Sequence, residues 1–240
     1  MQEAIIKRVS RRTYKDVYID KEKKDQIQKW IKEINKKSGL AIIYVEDGSK
    51  AFQSFSKTYG MFNNVRSIIL LKGKKDDENL KEKVGYYGEE LILNITDINL
   101  GTCWVGGTFD EKNINKIDND EKLECIITVG VVENRKSFKE KLIGSLTHIK
   151  RKPINKRFES KETPPSWFME GMKAVELAPS ALNSQKTIFT YENGDVKAKI
   201  ENNYRFDMID LGIAKKHFEI EADGKFDFGN GGKFHKNNKY

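Results

Sequence analysis

Apolar residues recur at helical spacing in the first third of the chain. Ile27, Trp30, Ile31 and Ile34 follow an i, i+3, i+4, i+7 pattern with lysines on the opposite face, and Gly39 supplies a stop signal. The pattern predicts an amphipathic helix over residues 21–38.

A second helical stretch is apolar on a wider surface. One apolar stripe runs along this stretch, and two further leucines broaden it. The stripe consists of Val84, Tyr87, Leu91, Ile95 and Ile98, and the broadening residues are Leu93 and Leu100. Such breadth predicts a helix that is buried on more than one side. Two further helices are predicted over 164–180, where prolines stand at both ends, and over 207–224.

Short apolar runs bounded by turn formers predict strands over 40–48, 65–73, 101–109 and 124–133. Residues 187–202 predict a hairpin, because Asn193-Gly194 supplies the positive φ angles of a tight type I′ turn. The charge run over 72–83 indicates a solvated loop and helix start.

The periodicity fades after Glu133, which divides the chain into a first block over 1–133, a basic connection over 134–163 and a second block over 164–240. The blocks share a faint repeat. A helical stretch opens at Gly88 and closes at Gly101, and another opens at Gly212 and closes at Gly224. The repeat suggests that the blocks are related half-units.

Composition limits the function classes. The chain has 240 residues, 38% hydrophobic and 33% charged, with a net charge of +8, which favours anionic partners. The lysines are dispersed and no nucleic-acid-binding signature is present, so nucleic acid is not favoured. Cys103 and Cys125 lie in apolar runs and are predicted to be buried. The three histidines lack metal-ligand spacing. Without a signal-like or membrane-spanning apolar run, a cytoplasmic location is expected.

Two segments carry candidate chemistry. Arg8, Ser10 and Arg12 suit a phosphate, because a guanidinium binds it bidentately and a hydroxyl adds a donor. On a helical turn, Arg8 and Arg12 would share one face. From the residues alone, a solvated basic helix start is the simpler interpretation.

The segment Ala178–Lys186 offers short hydroxyl and amide groups that suit a flat heteroaromatic ligand, namely Pro179, Ser180, Asn183 and Gln185. A plain helix-ending turn explains the proline and serine but not the whole string. Gly106 and Gly107 permit a close approach of backbone to a ring, and a strand-ending turn is their alternative.

These residues resemble the FMN-dependent nitroreductases. Arg8-Val9-Ser10-Arg11-Arg12-Thr13-Tyr14 resembles that family's R-x-S-x-R-x-[FY] segment, and "APSALNSQK" resembles its A-P-S-x-x-N-x-Q motif. "LGTCWVGG" is similar to its segment beside the flavin ring, and "DLGIAKKHFE" to its D-x-G-I-A helix. The resemblance implies an α+β nitroreductase-like fold, with a mixed, mostly antiparallel sheet flanked by helices.

The order of the motifs departs from the usual pattern. In ordinary members the A-P-S motif follows the arginine motif in the first half, and each flavin is held by two subunits. Here the A-P-S motif lies in the second block. The resemblance therefore implies the divergent single-chain branch, an internal pseudo-dimer in which both segments serve one flavin site. A monomer could then form a complete site with one FMN.

The resemblance also implies residue roles. FMN would be bound by Arg8, Val9, Ser10 and Arg12, by Pro179, Ser180, Asn183 and Gln185, by Val105, Gly106 and Gly107, and by Arg151 and Lys152 of the basic cluster 150–152. For the basic cluster, a solvated linker remains an equal alternative. NADH or NADPH would give hydride to the flavin N5, and a nitroaromatic, quinone or flavin would accept it, with no catalytic side chain required. A flavin-binding protein without turnover is the alternative function.

The remaining conspicuous residues have structural interpretations. Trp104, Tyr59, Phe62 and Tyr87 are expected to be core aromatics, and His217 to be a helix-packing residue. The glycine-rich stretch 229–234 lacks Walker spacing and is expected to be a flexible turn.

Overall fold

The computed structural model describes residues 1–114, 116–133 and 151–237. They form two compact units. The N-terminal unit comprises residues 7–80 and 91–147, and the C-terminal unit comprises residues 1–6, 81–90 and 148–240. Residues 134–150 of the predicted basic connection lie outside the described residues. The predicted domain boundaries stay predictions.

The helices are α1 (Gln2–Lys7), α2 (Lys21–Ser38), α3 (Phe55–Thr58), α4 (Leu80–Asp97), α5 (Ser166–Leu177) and α6 (Asp207–Ala222). The strands are β1 (Ile43–Val45), β2 (Ser67–Lys74), β3 (Gly101–Val105), β4 (Glu121–Gly130), β5 (Phe158–Ser160), β6 (Ile188–Glu192), β7 (Asp195–Lys199), β8 (Gly224–Phe226) and β9 (Phe234–Lys236). This α+β content confirms the predicted fold class.

The N-terminal unit contains an antiparallel sheet of order β1-β2-β4-β3. Strands β2 and β4 are buried along nearly their whole length, which explains their continuous apolar runs. Helix α2 has the predicted bounds. Asp20 accepts a hydrogen bond from the Lys23 amide at its start, and Gly39 ends it with a φ of 73°.

The C-terminal unit has a three-stranded sheet of order β5-β6-β7 and the small pair β8-β9. The hairpin turns at Asn193 and Gly194, whose φ angles are 51° and 83°, as predicted. Strand β5 pairs parallel to β6 and lies inside the predicted connection, so that stretch is not structureless. Phe168, Phe189 and Phe218 are fully buried in this unit's core.

Within the C-terminal unit, α4 and α6 cross at two glycines. A β-carbon on Gly85 would lie 2.0 Å from the carbonyl oxygen of Ile209, and one on Gly212 would lie 2.1 Å from that of Glu82. Each glycine thus contacts the residue three positions before the other glycine. Helices α4 and α6 therefore pack closely here, and the glycine in reciprocal contact with Gly212 is Gly85 rather than Gly88, which opens the repeat seen in the sequence.

Two polar side-chain contacts repeat this reciprocity. Glu89 Oε1 lies 2.9 Å from His217 Nε2, and Lys216 Nζ lies 2.8 Å from Glu90 Oε2. Glu89 lies four residues after Gly85, and its partner His217 lies five residues after Gly212. Lys216 likewise lies four residues after Gly212, and its partner Glu90 lies five residues after Gly85. Reciprocal contacts of this kind are typical of a two-fold interface. His217 is fully buried and also bonds the Ala174 carbonyl, which confirms its packing role.

Other structural expectations have mixed outcomes. Cys103 and Cys125 are buried free thiols, as predicted. Tyr59 is not a core residue, since 67% of it is exposed. The 229–234 stretch is held by hydrogen bonds, among them Gly229 N–H to Glu82 Oε2 at 2.6 Å. Within the described ranges, no helix is long and apolar enough to cross a membrane.

Candidate functional site

The arginine segment of the N-terminal unit is extended. Helix α1 ends at Lys7, and Ser10 forms a parallel bridge with Thr102 of β3. The Arg11 amide donates to the Thr102 carbonyl at 2.8 Å, and Thr13 bridges Asn63. The expected helical turn is therefore wrong, because pairing with β3 competes with the continuation of a short helix.

Burial separates the predicted side chains from Arg11. Arg8, Ser10 and Arg12 are each partly buried. Arg11 is buried, and its Nη1 donates to the Glu133 carbonyl at 2.9 Å. Val9 is exposed. The phosphate-binding role of Arg8, Ser10 and Arg12 stays a prediction.

Phe62 supports one end of this segment. The Arg12 guanidinium lies 5.9 Å from the centre of the Phe62 ring, and the Asn63 amide donates to the Arg12 carbonyl at 2.9 Å. The Nε atoms of Arg8 and Arg12 are buried. An arginine held on an aromatic face with a buried Nε has fewer rotamers available, which preorganises it for an anion.

The end of β3 carries the predicted ring-facing residues. Val105 is buried and pairs with Ile126 of β4. A β-carbon on Gly107 would meet no atom within 4 Å. Packing in the described part of the chain therefore does not require glycine at position 107. Thr102, which pairs with Ser10, precedes Val105 by about 10 Å of strand, so the structure brings the arginine segment near this strand end.

The Pro179–Gln185 loop of the C-terminal unit follows α5 and has an unusual backbone. It contains a 3₁₀ turn over Ala181–Asn183. Leu182, Asn183 and Gln185 have φ angles of 54°, 53° and 49°. The Gln185 amide donates to Ser180 Oγ at 3.0 Å, and Gln185 Nε2 donates to the Asn183 carbonyl at 3.1 Å. The helix-ending turn is therefore more elaborate than composition alone suggested.

The basic cluster adjoins this loop. The Lys152 amide donates to Gln185 Oε1 at 3.0 Å, which places two predicted cofactor-binding residues in direct contact. Arg151 is exposed. Lys150, the third member of the cluster, lies outside the described residues.

Two polar residues near the loop were assigned no role by the sequence analysis. Asp210 of α6 is 4% exposed and accepts the Ala181 amide proton. Its signal was an aspartate inside the apolar string "MIDLGIA". Arg157 is buried, and its Nη1 donates to the Val175 carbonyl at 2.8 Å. The pKa of Arg157 is lowered to about 10, mainly by burial; Glu176 opposes this shift and Arg151 adds to it.

A resident metal has no support in this part of the molecule. Among residues 1–114, 116–133 and 151–237, no three histidine, cysteine, aspartate or glutamate side chains are grouped so that they could hold a metal ion. The donor sets described above are guanidinium, hydroxyl, amide and backbone N–H. Such groups fit a phosphate and a polar ring rather than a cation.

These features define a two-unit α+β protein, and the comparisons identify its family. The family model described as "Putative TM nitroreductase" matches residues 1–222. The chain therefore belongs to this nitroreductase family, which is an oxidoreductase class. No curated protein sequence matched the chain.

Solved structures agree with the family at the level of fold. A crystal structure described as a "putative nitroreductase" from Thermotoga maritima has a TM-score of 0.62 and 22% identity, covering 97% of this chain and 90% of that one. An FMN-dependent nitroreductase from Clostridium difficile has 26% identity and a TM-score of 0.47, covering 57% and 91%. A nitroreductase with bound FMN from Bacteroides fragilis has 14% identity and a TM-score of 0.44, covering 57% and 92%.

Proposed function

We propose that the protein is an FMN-dependent oxidoreductase that takes hydride from NADH or NADPH and delivers it to an electron-poor small molecule. The observation that carries this proposal is the family match over residues 1–222. Nitroaromatics, quinones and free flavins are the acceptor class. The expected cytoplasmic location belongs to the same proposal.

The phosphate of FMN would be bound by Arg8, Ser10 and Arg12. Arg8 and Arg12 would supply two guanidinium groups and Ser10 one hydroxyl, which are donors that suit a phosphate. Arg151 and Lys152 would add positive charge, and the Lys152 amide contacts Gln185. A phosphate carrying nearly two negative charges fits this donor set.

The ring would be received by Val105–Gly107 and by the Pro179–Gln185 loop. Space for a β-carbon at Gly107 supports this role, because glycine is then needed for the ligand rather than for the fold. Ser180 Oγ, the Asn183 amide and the Gln185 side chain are polar groups suited to ring edges. Bound FMN would supply the two-electron hydride chemistry. The chain's residues would bind it and exclude water, and no side-chain acid or base is assigned.

We further propose that one chain forms one complete site. The reciprocal contacts of Gly85 with Ile209 and of Gly212 with Glu82 support an internal pseudo-dimer. One arginine segment and one A-P-S loop in 240 residues support one FMN per chain.

The proposal is tested by titrating the purified protein with FMN and then with NADH or NADPH under anaerobic conditions. We expect quenching of flavin fluorescence, bleaching of the bound flavin near 450 nm and its recovery when menadione or nitrofurazone is added. Absence of flavin binding would refute the whole proposal. Binding without bleaching by either nucleotide would instead identify a flavin-binding protein without turnover.

A further inference from the structure

The Ser180–Gln185 loop adopts a backbone that its own sequence does not favour. Leu182, Asn183 and Gln185 have positive φ angles, and of these residue types only asparagine tolerates that region readily. The Leu182 side chain is 71% exposed, so packing of that side chain does not hold the loop. Contacts from elsewhere must therefore stabilise this conformation.

Asp210 supplies such contacts from the first turn of α6. The Ala181 amide lies 2.9 Å from Asp210 Oδ1 and 3.0 Å from Oδ2, and the Ser184 side chain also hydrogen-bonds this carboxyl group. Ala181 opens the 3₁₀ turn and Ser184 follows it. One buried carboxylate thus holds both ends of the strained turn. It joins the turn to a helix that is buried along most of its length.

We propose that Asp210 is a positioning residue whose ionised carboxylate holds the Ser180–Gln185 loop in its flavin-binding conformation. This inference rests on the proposed function. Asp210 is not assigned to touch the flavin. It acts through the Ala181 amide and Ser184, which set the backbone of the residues that would contact the ring.

The charge of Asp210 is set by its surroundings. The pKa of Asp210 is raised to about 7, mainly by burial and in part by Asp207 on the same helix. The Ala181 amide, Lys186 and Ser184 on the loop side lower it. Helix α4 meets this end of α6 at Gly85, an uncharged residue that lies against Ile209.

A change of charge near neutral pH would change the hold on the loop. The ionised carboxylate accepts hydrogen bonds through both oxygens. A protonated carboxyl group carries a donor on one oxygen, which weakens its attraction for the Ala181 amide. Flavin affinity should therefore fall as the pH drops through about 7.

The test compares the wild-type protein with Asp210→Asn by FMN fluorescence titration from pH 5.5 to 8.5. We expect the wild-type dissociation constant to rise about tenfold toward the acidic end, and the variant to bind weakly with little pH dependence. Asp195→Asn is the matched control, because Asp195 pairs with Lys233 on the surface of the same unit. It should behave as the wild type does.

A second measurement needs no flavin. Hydrogen exchange of the peptide covering residues 180–186, measured without flavin at pH 8, should be faster in Asp210→Asn than in the wild type and unchanged in Asp195→Asn. Equal exchange in all three proteins would overturn the positioning role, as would equal flavin affinity of Asp210→Asn and the wild type at pH 8. If Asp210→Asn exchanges faster but the wild-type protein binds no FMN, the flavin assignment fails while the loop's dependence on Asp210 stands.

Discussion

Replacing Gly212 by alanine should destabilise the protein, although the same change in a solvent-exposed helix adds about 1 kcal/mol of stability. The new methyl group would lie 2.1 Å from the Glu82 carbonyl oxygen and 2.7 Å from the Tyr86 amide nitrogen. Both neighbours are backbone atoms and cannot rotate away. Helices α4 and α6 must then separate by about 1 Å to restore normal contact distances.

The expected cost follows from what that separation disturbs. Lys215 Nζ lies 2.5 Å from Glu82 Oε1, and His217 Nε2 lies 2.9 Å from Glu89 Oε1, all four side chains being buried. Stretching a buried charged hydrogen bond costs about 1–3 kcal/mol, and overpacking costs about 1–3 kcal/mol. After the gain in helix propensity of about 1 kcal/mol, the net loss is about 1–5 kcal/mol. For a chain of this size, the melting temperature should fall by about 2–20 °C.

Thermal unfolding followed by circular dichroism measures the effect. Gly107→Ala is the matched control, because its methyl group meets no atom within 4 Å, and it should change stability by less than about 0.5 kcal/mol. Gly85→Ala should resemble Gly212→Ala, and the double variant should lose less than the sum, since one separation accommodates both methyl groups. An unchanged or higher melting temperature for Gly212→Ala would refute the close crossing.

Four other predictions concern the flavin and Asp210. Arg8→Ala or Arg12→Ala should weaken FMN binding by about 2–3 kcal/mol. Lys161→Ala, which removes a 90% exposed side chain, should not. Equal FMN affinities for all three variants in fluorescence titrations would place the phosphate elsewhere. Gly107→Ala should keep the wild-type melting temperature but bind FMN less tightly, and undiminished affinity would remove it from the site. Because the folded-state pKa of Asp210 is raised from 3.8 to about 7, folding loses stability as the pH rises through that interval. Asp210→Asn should therefore stabilise the protein by about 2–4 kcal/mol at pH 8 and little below pH 4. Denaturant titrations measure this, and an equal gain in stability at both pH values would contradict the raised pKa of Asp210. Light scattering with flavin quantification should give one FMN per monomer, and flavin loss on dilution of a dimer would exclude a single-chain site.

Local patterns in the sequence were sufficient for the regular elements. Helix α2 was predicted with its bounds because an apolar stripe and Gly39 both mark it. The β6–β7 hairpin followed from Asn193-Gly194. These signals act within a few residues, so neighbouring sequence is enough to determine them.

Contacts distant in sequence determined what was missed. Strand β5 has three residues and forms by parallel pairing with β6, some thirty positions later, which its own composition does not reveal. The arginine segment is extended because Ser10 pairs with Thr102. Glu82 lies in the charge run that the sequence analysis interpreted as solvated, yet it is buried and pairs with Lys215 inside the C-terminal unit.

The candidate site shows the same division. Motif resemblance nominated Arg8, Arg12 and Gln185 as cofactor-binding residues, and these roles stay predictions. It included Asp210 in the D-x-G-I-A match but assigned it no role, because its contact with Ala181 spans 29 positions. An aspartate within an apolar helical string is a usable signal for such a residue, since a buried carboxylate needs partners.

The α4–α6 crossing also bears on how the chain could diversify. In a homodimer, one codon change alters both sides of a two-fold axis at once. Counting from Gly85 and Gly212, the positions equivalent to Glu82 and Lys215 hold Ile209 and Gly88, so the buried Glu82–Lys215 pair occurs in one direction only. In the single-chain arrangement that we propose, each side of the axis is encoded separately. One half could therefore acquire the buried Glu82–Lys215 pair that anchors the 227–229 segment, while the other half kept the small residue Gly88 at the position equivalent to Lys215. A symmetric assembly of identical chains could not differ between its halves in this way.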